Sequence, residues 1–255
     1  MRRFAGETWA QLERWLLHLR RQPFHLAITL LQPVIFLVLF GGLFSRIVDD
    51  SLKGAGYLSF ILPGILALTV FNNSMFSGVA LIFDREMGFL ERLLTTPISR
   101  ASILVARFAF TNLLSVLQVL GMLGAGVLIG ASVETGPVGI GVMLAYGILL
   151  GFGTSLISMV LAFKLRGHAD FFALLSVVSL PLVLASNAFA PLASMPGWLR
   201  WLALLNPLTH AASGMRAALL GDAGFGWLHF PLLALVAFDA LCLALGVRVY
   251  RQRLS

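Results

Sequence analysis

Six apolar stretches, each long enough to cross a bilayer as a helix, constrain this chain more than any other feature. They run from Leu26 to Phe44, Tyr57 to Phe83, Phe108 to Gly130, Val138 to Phe163, Phe171 to Ala190 and Phe230 to Val249. A hydrocarbon core about 30 Å thick takes roughly 20 apolar residues in an α-helix, because every backbone N–H and C=O must be paired inside the segment. A charged or Gly/Pro-rich break follows each stretch. Composition agrees: 59% of the 255 residues are hydrophobic and only 11% are charged, against about 25% charged in a soluble domain. The expected fold is an all-α polytopic membrane protein with six transmembrane helices. With one cysteine, Cys242, neither an intrachain disulfide nor a Cys-based zinc site can form.

The basic residues orient those helices. Thirteen Arg and Lys fall on the side of the termini, and four, Arg46, Lys53, Arg200 and Arg216, fall opposite. Short loops rich in Lys and Arg stay in the cytoplasm, so both termini are expected there, in the cell (inner) membrane. The net charge of +7 thus follows the membrane and calls for no nucleic acid. Because about 25 residues precede the first apolar run and no small-residue cleavage site follows it, that run reads as a retained helix and not a signal peptide. Residues 1–25 form a separate unit, with the transmembrane domain at 26–255. Trp9, Leu12, Leu16 and Leu19 fall on one helical face, with Glu7, Gln11, Arg14, His18 and Arg21 on the other. Such a helix lies flat on the cytoplasmic leaflet, with Trp15 at headgroup depth and Arg20 and Arg21 near lipid phosphate. The alternative is a basic flank that only sets topology. Pro23 ends the helix in either case.

Two connections are neither spans nor short turns. The cytoplasmic segment 84–100 reads Asp84-Arg-Glu-Met-Gly-Phe-Leu-Glu-Arg-Leu-Leu-Thr-Thr-Pro-Ile-Ser-Arg100. A helix from Arg85 to Leu94 would set Met87, Leu90 and Leu94 on one side, apart from Arg85, Glu86 and Arg92, before Pro97 stops it. An apolar ridge flanked by both charge signs suits docking to a protein; the alternative is a solvated loop. The outer connection 191–229 is too apolar for a solvated loop and too short in either half to span. Trp198 and Trp201 suit the membrane interface, and Asn206 before Pro207 caps a helix running to about Leu220. Two short helices dipping into the outer leaflet and roofing a pathway are expected, since irregular backbone at that depth needs protein or water around it.

The segment Asp84-Arg-Glu-x-Gly-x-Leu-Glu-Arg-Leu-Leu-x-x-Pro-x-Ser-Arg100 and the run Asn206-Pro-Leu-x-His-x-x-x-x-x-Arg216 resemble the ABC-2 type permeases of ABC exporters over almost the whole chain. The likeness is nearest to the daunorubicin and doxorubicin resistance permeases, with polysaccharide and lipo-oligosaccharide exporters as cousins. It implies a coupling helix at 84–100, a re-entrant hairpin at 191–229 and a separate ATPase subunit, two permeases with two ATPases, ATP and Mg being bound by the ATPase. By position, Arg85, Glu86, Gly88, Leu90, Glu91 and Arg92 would contact that ATPase. The hairpin motif residues are Asn206, Pro207, His210 and Arg216. The resemblance also lines the pathway between two permeases with the first, second and fifth spans. The expected cargo is a hydrophobic or amphipathic drug, polyketide, lipid or glycolipid.

The chain itself lacks an engine. A P-loop needs Gly-x-x-x-x-Gly-Lys-Ser/Thr so that backbone N–H groups cradle phosphates and Lys reaches them. Lys occurs only at 53 and 164, followed by Gly54 and Leu165, so no catalytic residue or cofactor site is assigned. The polar residues inside the second span, Thr69, Asn72, Asn73 and Ser74, are candidates for lining the pathway. So are Gln32 in the first span and Ser186 and Asn187 at the end of the fifth. Their alternative is bonding between helices. Asp239, near the middle of the sixth span, marks either proton coupling or a buried partner. Arg107 is read as a structural, snorkelling cation, and His210 lacks the acidic or cysteine company of a metal site. Gly126-x-x-x-Gly130 and Gly147-x-x-x-Gly151 suit close helix packing. A secondary transporter would show inverted repeats and several intramembrane charges, and only Asp239 stands there.

Overall fold

The computed structural model describes residues 2–21, 23–48, 56–89, 95, 99–131, 133–165, 167–221 and 229–254. Ten α-helices account for nearly all of them, and no strand occurs among the described residues. In order they are α1 (Arg2–Arg21), α2 (Pro23–Val48), α3 (Gly56–Met75), α4 (Ser77–Glu86) and α5 (Arg100–Ile129). There follow α6 (Gly136–Lys164), α7 (His168–Leu184), α8 (Gly197–Leu205), α9 (Pro207–Leu220) and α10 (His229–Leu254). Four runs are long and apolar enough to cross a membrane: α3 with α4, α5, α6 and α10. The apolar parts of α2 and α7, Ala27–Leu43 and His168–Leu184, are shorter.

Helix α3 is the centre of the protein. It packs against α2, α5, α6 and α9, and from Ile61 to Ala67 its apolar side chains are 0–1% exposed. A helix apolar all round is a buried helix, which is why no amphipathic stripe shows in its sequence. Gly64 brings α3 onto the backbone that follows α7, where a Cβ would stand 2.0 Å from the Ala188 carbonyl oxygen. Gly214 likewise seats α9 on the Tyr146 ring of α6. Helix α10 lies outside, against α6 and α9.

The second apolar stretch is not one helix. It breaks at Phe76 between α3 and α4. Phe76 N–H still donates to the Asn72 carbonyl at 3.0 Å, but groups on either side of the break need partners from elsewhere. Ser158 of α6 supplies two: its hydroxyl donates to the Met75 carbonyl at 2.5 Å and accepts from Gly78 N–H at 2.8 Å. Arg107 of α5 supplies a third, its Nε donating to the Ser77 carbonyl at 3.2 Å. The backbones of α4 and α6 touch here, since a Cβ on Gly78 would stand 2.5 Å from the Ser158 oxygen.

Helix α1 packs along the start of α5, from Glu7, whose Oε2 accepts from Ser99 N–H at 2.9 Å, to Trp15, 5.7 Å from the Phe110 ring. The middle of its polar face turns towards the protein: Gln11 is buried, while Trp9 is 61% exposed. Trp15 is half-buried, with Arg107 stacked 4.3 Å above its ring. Helix α5 begins two turns earlier than the apolar stretch suggests, at Arg100, because that extra length is covered by α1. Of the four expected packing glycines, Gly130 has another role. It ends α5 in the left-handed region (φ 109°) with open space around it, where L side chains are disfavoured.

Replacing Ser158 with Ala leaves a buried Gly78 N–H without its acceptor, so thermal unfolding in detergent should report a loss of about 1–3 kcal/mol. Ser158→Thr, which keeps the hydroxyl, should recover part of it.

Candidate transport cavity and coupling contacts

Pro33 gives Gln32 and Phe36 of α2 a place beside the last two turns of α3. Together with Thr69, Asn72 and Asn73 they enclose a cavity of about 290 Å³. Phe76 at the break and Gln118 of α5 complete its wall. Thr69 Oγ1 is committed to the Ile65 carbonyl at 2.7 Å. The amide Nδ2 of Asn73 and Oε1 of Gln118 are buried with no hydrogen-bond partner among the described residues. Buried polar atoms left unmatched cost free energy, so these two are open to a polar group brought into the cavity.

Four of the seven expected lining residues thus share one cavity, and three do not. Ser74 points the other way, fully buried, near Ser115 and Asn112 around Gly151. Ser186 Oγ donates to the Val183 carbonyl at 2.6 Å. Asn187 Nδ2 donates to Ser213 Oγ of α9 at 2.6 Å. Ser186 and Asn187 thus belong to the end of α7 and its contact with α9. Gln118 and Phe76 were not singled out in the sequence; Gln118 carries the same signal as Asn72, an amide within an apolar run.

Asn206 joins α8 to α9 and does two jobs. Its Oδ1 accepts from Leu208 N–H at 3.0 Å, capping α9, and its Nδ2 donates to the carbonyls of Leu182 (2.6 Å) and Ala185 (3.1 Å) at the end of α7. Pro207 takes the first helical position, where no N–H is needed. His210 Nε2 donates to the Leu204 carbonyl at 2.8 Å across the corner. Arg216 reaches from α9 to α3, donating to the Phe60 carbonyl at 3.0 Å and the Asn187 carbonyl at 3.1 Å, its guanidinium 3.8 Å from the Phe60 ring centre. Asn206, His210 and Arg216 each fasten one helix to another.

At the opposite end Arg85 and Glu86 form the last turn of α4 and do not begin a new helix. Met87 and Gly88 make a turn, Gly88 at φ 68°, which ends α4, and Phe89 beyond it is helical again. A side chain is disfavoured at Gly88 for backbone reasons, with open space around the residue. Leu90, Glu91 and Arg92 lie outside the described residues. Arg85 caps the end of α6, donating to the carbonyls of Ala162 (3.3 Å) and Leu165 (2.9 Å). Glu86 caps the start of α7, accepting from His168 N–H at 3.1 Å and facing His168 Nδ1 at 2.8 Å. Beyond the apolar part of the span, the Glu86 carboxyl is held below its ordinary range by the His168 backbone N–H, then by the imidazole. His168 had no visible signal in the sequence, lying far from Glu86 along the chain.

Asp239 of α10 is 7% exposed, and neither carboxylate oxygen makes a hydrogen bond among the described residues. It faces Gly153 of α6, where a Cβ would stand 2.2 Å from its Oδ1. Among the described residues no group of three or more His, Cys, Asp or Glu is placed to hold a metal.

A helical protein with apolar spans, one of them broken beside a polar cavity, has the make-up of a membrane permease. The ABC-2 type transporter family pattern matches residues 6–220. A protein of Porphyra purpurea named as a transport permease, ycf38, is 40% identical over 215 residues, covering 82% of this chain and 72% of its own. The daunorubicin resistance ABC transporter permease protein DrrB1 of Streptomyces coeruleorubidus is 29% identical over 250 residues, 98% of this chain and 87% of its own. A Mycobacterium tuberculosis protein named as a doxorubicin resistance ABC transporter permease, DrrC, is 24% identical over 247 residues, 96% of this chain and 87% of its own. The chain belongs to the ABC-2 type transporter family.

Asn206→Ala removes the cap of α9 and leaves two carbonyls of α7 unmatched. The cap alone is worth about 1 kcal/mol, and hydrogen exchange at the Leu208 amide should accelerate with a fall in melting temperature.

Proposed function

We propose that this chain is the membrane subunit of an ATP-driven exporter, two copies working with two copies of a separate ATPase that binds ATP and Mg. In this reading six spans put both termini on one side, which the Arg and Lys bias makes the cytoplasmic side of the cell (inner) membrane, with α1 at the inner leaflet and α8 and α9 forming a re-entrant hairpin in the outer one. The first and fifth spans are α2 and α7, whose apolar parts are near the minimum length and cross with flanking polar residues at the headgroups.

The observation that carries this reading is the architecture of the second span. Its outer half, α3, walls the polar cavity with Thr69, Asn72 and Asn73. Its inner half, α4, ends in Arg85 and Glu86, which bind the turn between α6 and α7. Force applied to the segment 84–100 by an ATPase therefore reaches two further helices at once, and reaches the cavity through the break at Phe76. A nucleotide can shift such an equilibrium only by gripping the two states unequally, so the ATPase must hold this segment differently in each. Glu91 and Arg92 would complete the contact, with Leu90 supplying an apolar anchor.

The cavity supports a compact amphipathic cargo. Amide, hydroxyl and aromatic groups line it and no charged residue does, which suits an uncharged or weakly polar molecule better than a long glycan. The daunorubicin and doxorubicin resistance names of two relatives point the same way.

Two measurements test the reading. Complexes carrying Glu86→Ala and Glu91→Ala together should keep basal ATP hydrolysis and lose its stimulation by cargo, with transport falling at least about tenfold, a barrier change of about 1.4 kcal/mol. Full stimulated activity in that variant would remove the assignment. Asn72→Leu with Asn73→Leu should lower cargo transport in vesicles while leaving basal hydrolysis in place; an unchanged transport rate would take the cavity out of the pathway.

A further inference from the structure

On the cytoplasmic side, α1 and α4 enclose a second cavity, of about 570 Å³, that the transport reading does not use. Its charged wall comes from Arg14, His18 and Arg21 of α1, with Asp84 of α4 opposite. Its apolar wall comes from Trp15 and Leu17 of α1, from Ala80 and Phe83 of α4 and from Met87 in the turn after it. Leu17, Phe83 and Met87 are exposed, at 44%, 40% and 72%.

The cations outnumber what the protein sets against them. Arg14 meets the Asp84 carboxylate only at 3.4 Å, through one Nη, and its Nε is buried with no partner among the described residues. The guanidinium is nevertheless held in place, 4.5 Å from the ring centres of both Trp15 and Phe89. A fixed guanidinium with an unmatched donor is suited to an oxyanion. The depth of the cavity follows from its two walls. The apolar run of α2 begins just after Arg21, and the apolar run of the second span ends at Phe83. The cavity therefore sits where hydrocarbon gives way to headgroups, charged wall and apolar wall side by side.

From this geometry we infer that the cleft between α1 and α4 is a binding site for an anionic phospholipid of the inner leaflet. Arg14 and Arg21 hold its phosphate, His18 donates to a headgroup oxygen, and the acyl chains leave over Leu17 and Phe83. A free phosphate would satisfy the arginines alone; the exposed apolar wall is what favours a lipid. The bound lipid joins α1 to α4, and so to the half-helix that carries Arg85 and Glu86.

The test uses the purified full chain in nanodiscs of phosphatidylcholine and phosphatidylglycerol, released into the gas phase for native mass spectrometry. One phosphatidylglycerol per protomer should survive release from the wild type. Arg14→Gln with Arg21→Gln should weaken its retention about thirtyfold, from two lost cationic contacts near an anionic surface. Arg21→Glu, at an exposed position that folding does not need, should expel it too. Arg20→Gln, on the same helix outside the cavity, should retain it. Equal retention in all four proteins overturns the inference. So does protection of lipid-free protein against heating by inorganic phosphate as strong as that by phosphatidylglycerol, which would assign the cavity to a free anion. Cross-linking of position 21 to an acidic partner protein, with no lipid retained, would overturn it in favour of a protein contact.

Discussion

In hydrocarbon an unpaired peptide group has no water to turn to, and the rest of this structure depends on how the chain meets that condition at Phe76. The helix gives up hydrogen bonds there, and two side chains make three in their place: the Ser158 hydroxyl twice and the Arg107 Nε once. Each comes from a different direction, Ser158 from α6 and Arg107 from α5. The break is thus tied into the bundle and is not a loose joint. Arg107 is in turn stacked on Trp15 of α1, so α1 is mechanically connected to the break between α3 and α4.

The two ends of the bundle are fastened by the same kind of chemistry, long polar side chains given to backbone groups near helix ends. At one end Arg85 takes the last carbonyls of α6, and Glu86 takes the first N–H of α7. At the other, Asn206 takes two carbonyls of α7, and Arg216 takes one from α3 and one beyond α7. Helix ends carry unmatched groups by construction. These contacts match several of them while fixing which helices move together.

The apolar stretches are legible in the sequence because lipid imposes a length and a composition on each of them. The start of α9 is legible for a local reason: Asn206 and Pro207 satisfy a capping rule that acts within three residues. The break at Phe76 is not legible. No proline or positive-φ glycine marks it, and the residues that permit it, Ser158 and Arg107, lie about 80 and 30 positions away. The same holds for the cavity. Composition identifies polar residues in the second span, but only the packing of α3 decides that Asn72 and Asn73 face open space while Ser74 faces Gly151. The turn that ends α4 has a visible residue, Gly88, whose left-handed backbone interrupts the helical spacing around it.

The pairing of Gly153 with Asp239 has a historical consequence. The carboxylate occupies the volume that a side chain at 153 would fill, with a Cβ there only 2.2 Å from Oδ1. A methyl at 153 must push the Asp239 carboxylate and the Phe238 ring aside, and loss of the acid opens a hole against a bare backbone. In descendants of this chain the two sites are free to change only as a couple, so a collection of such descendants should show them swapping bulk, small for large, in step.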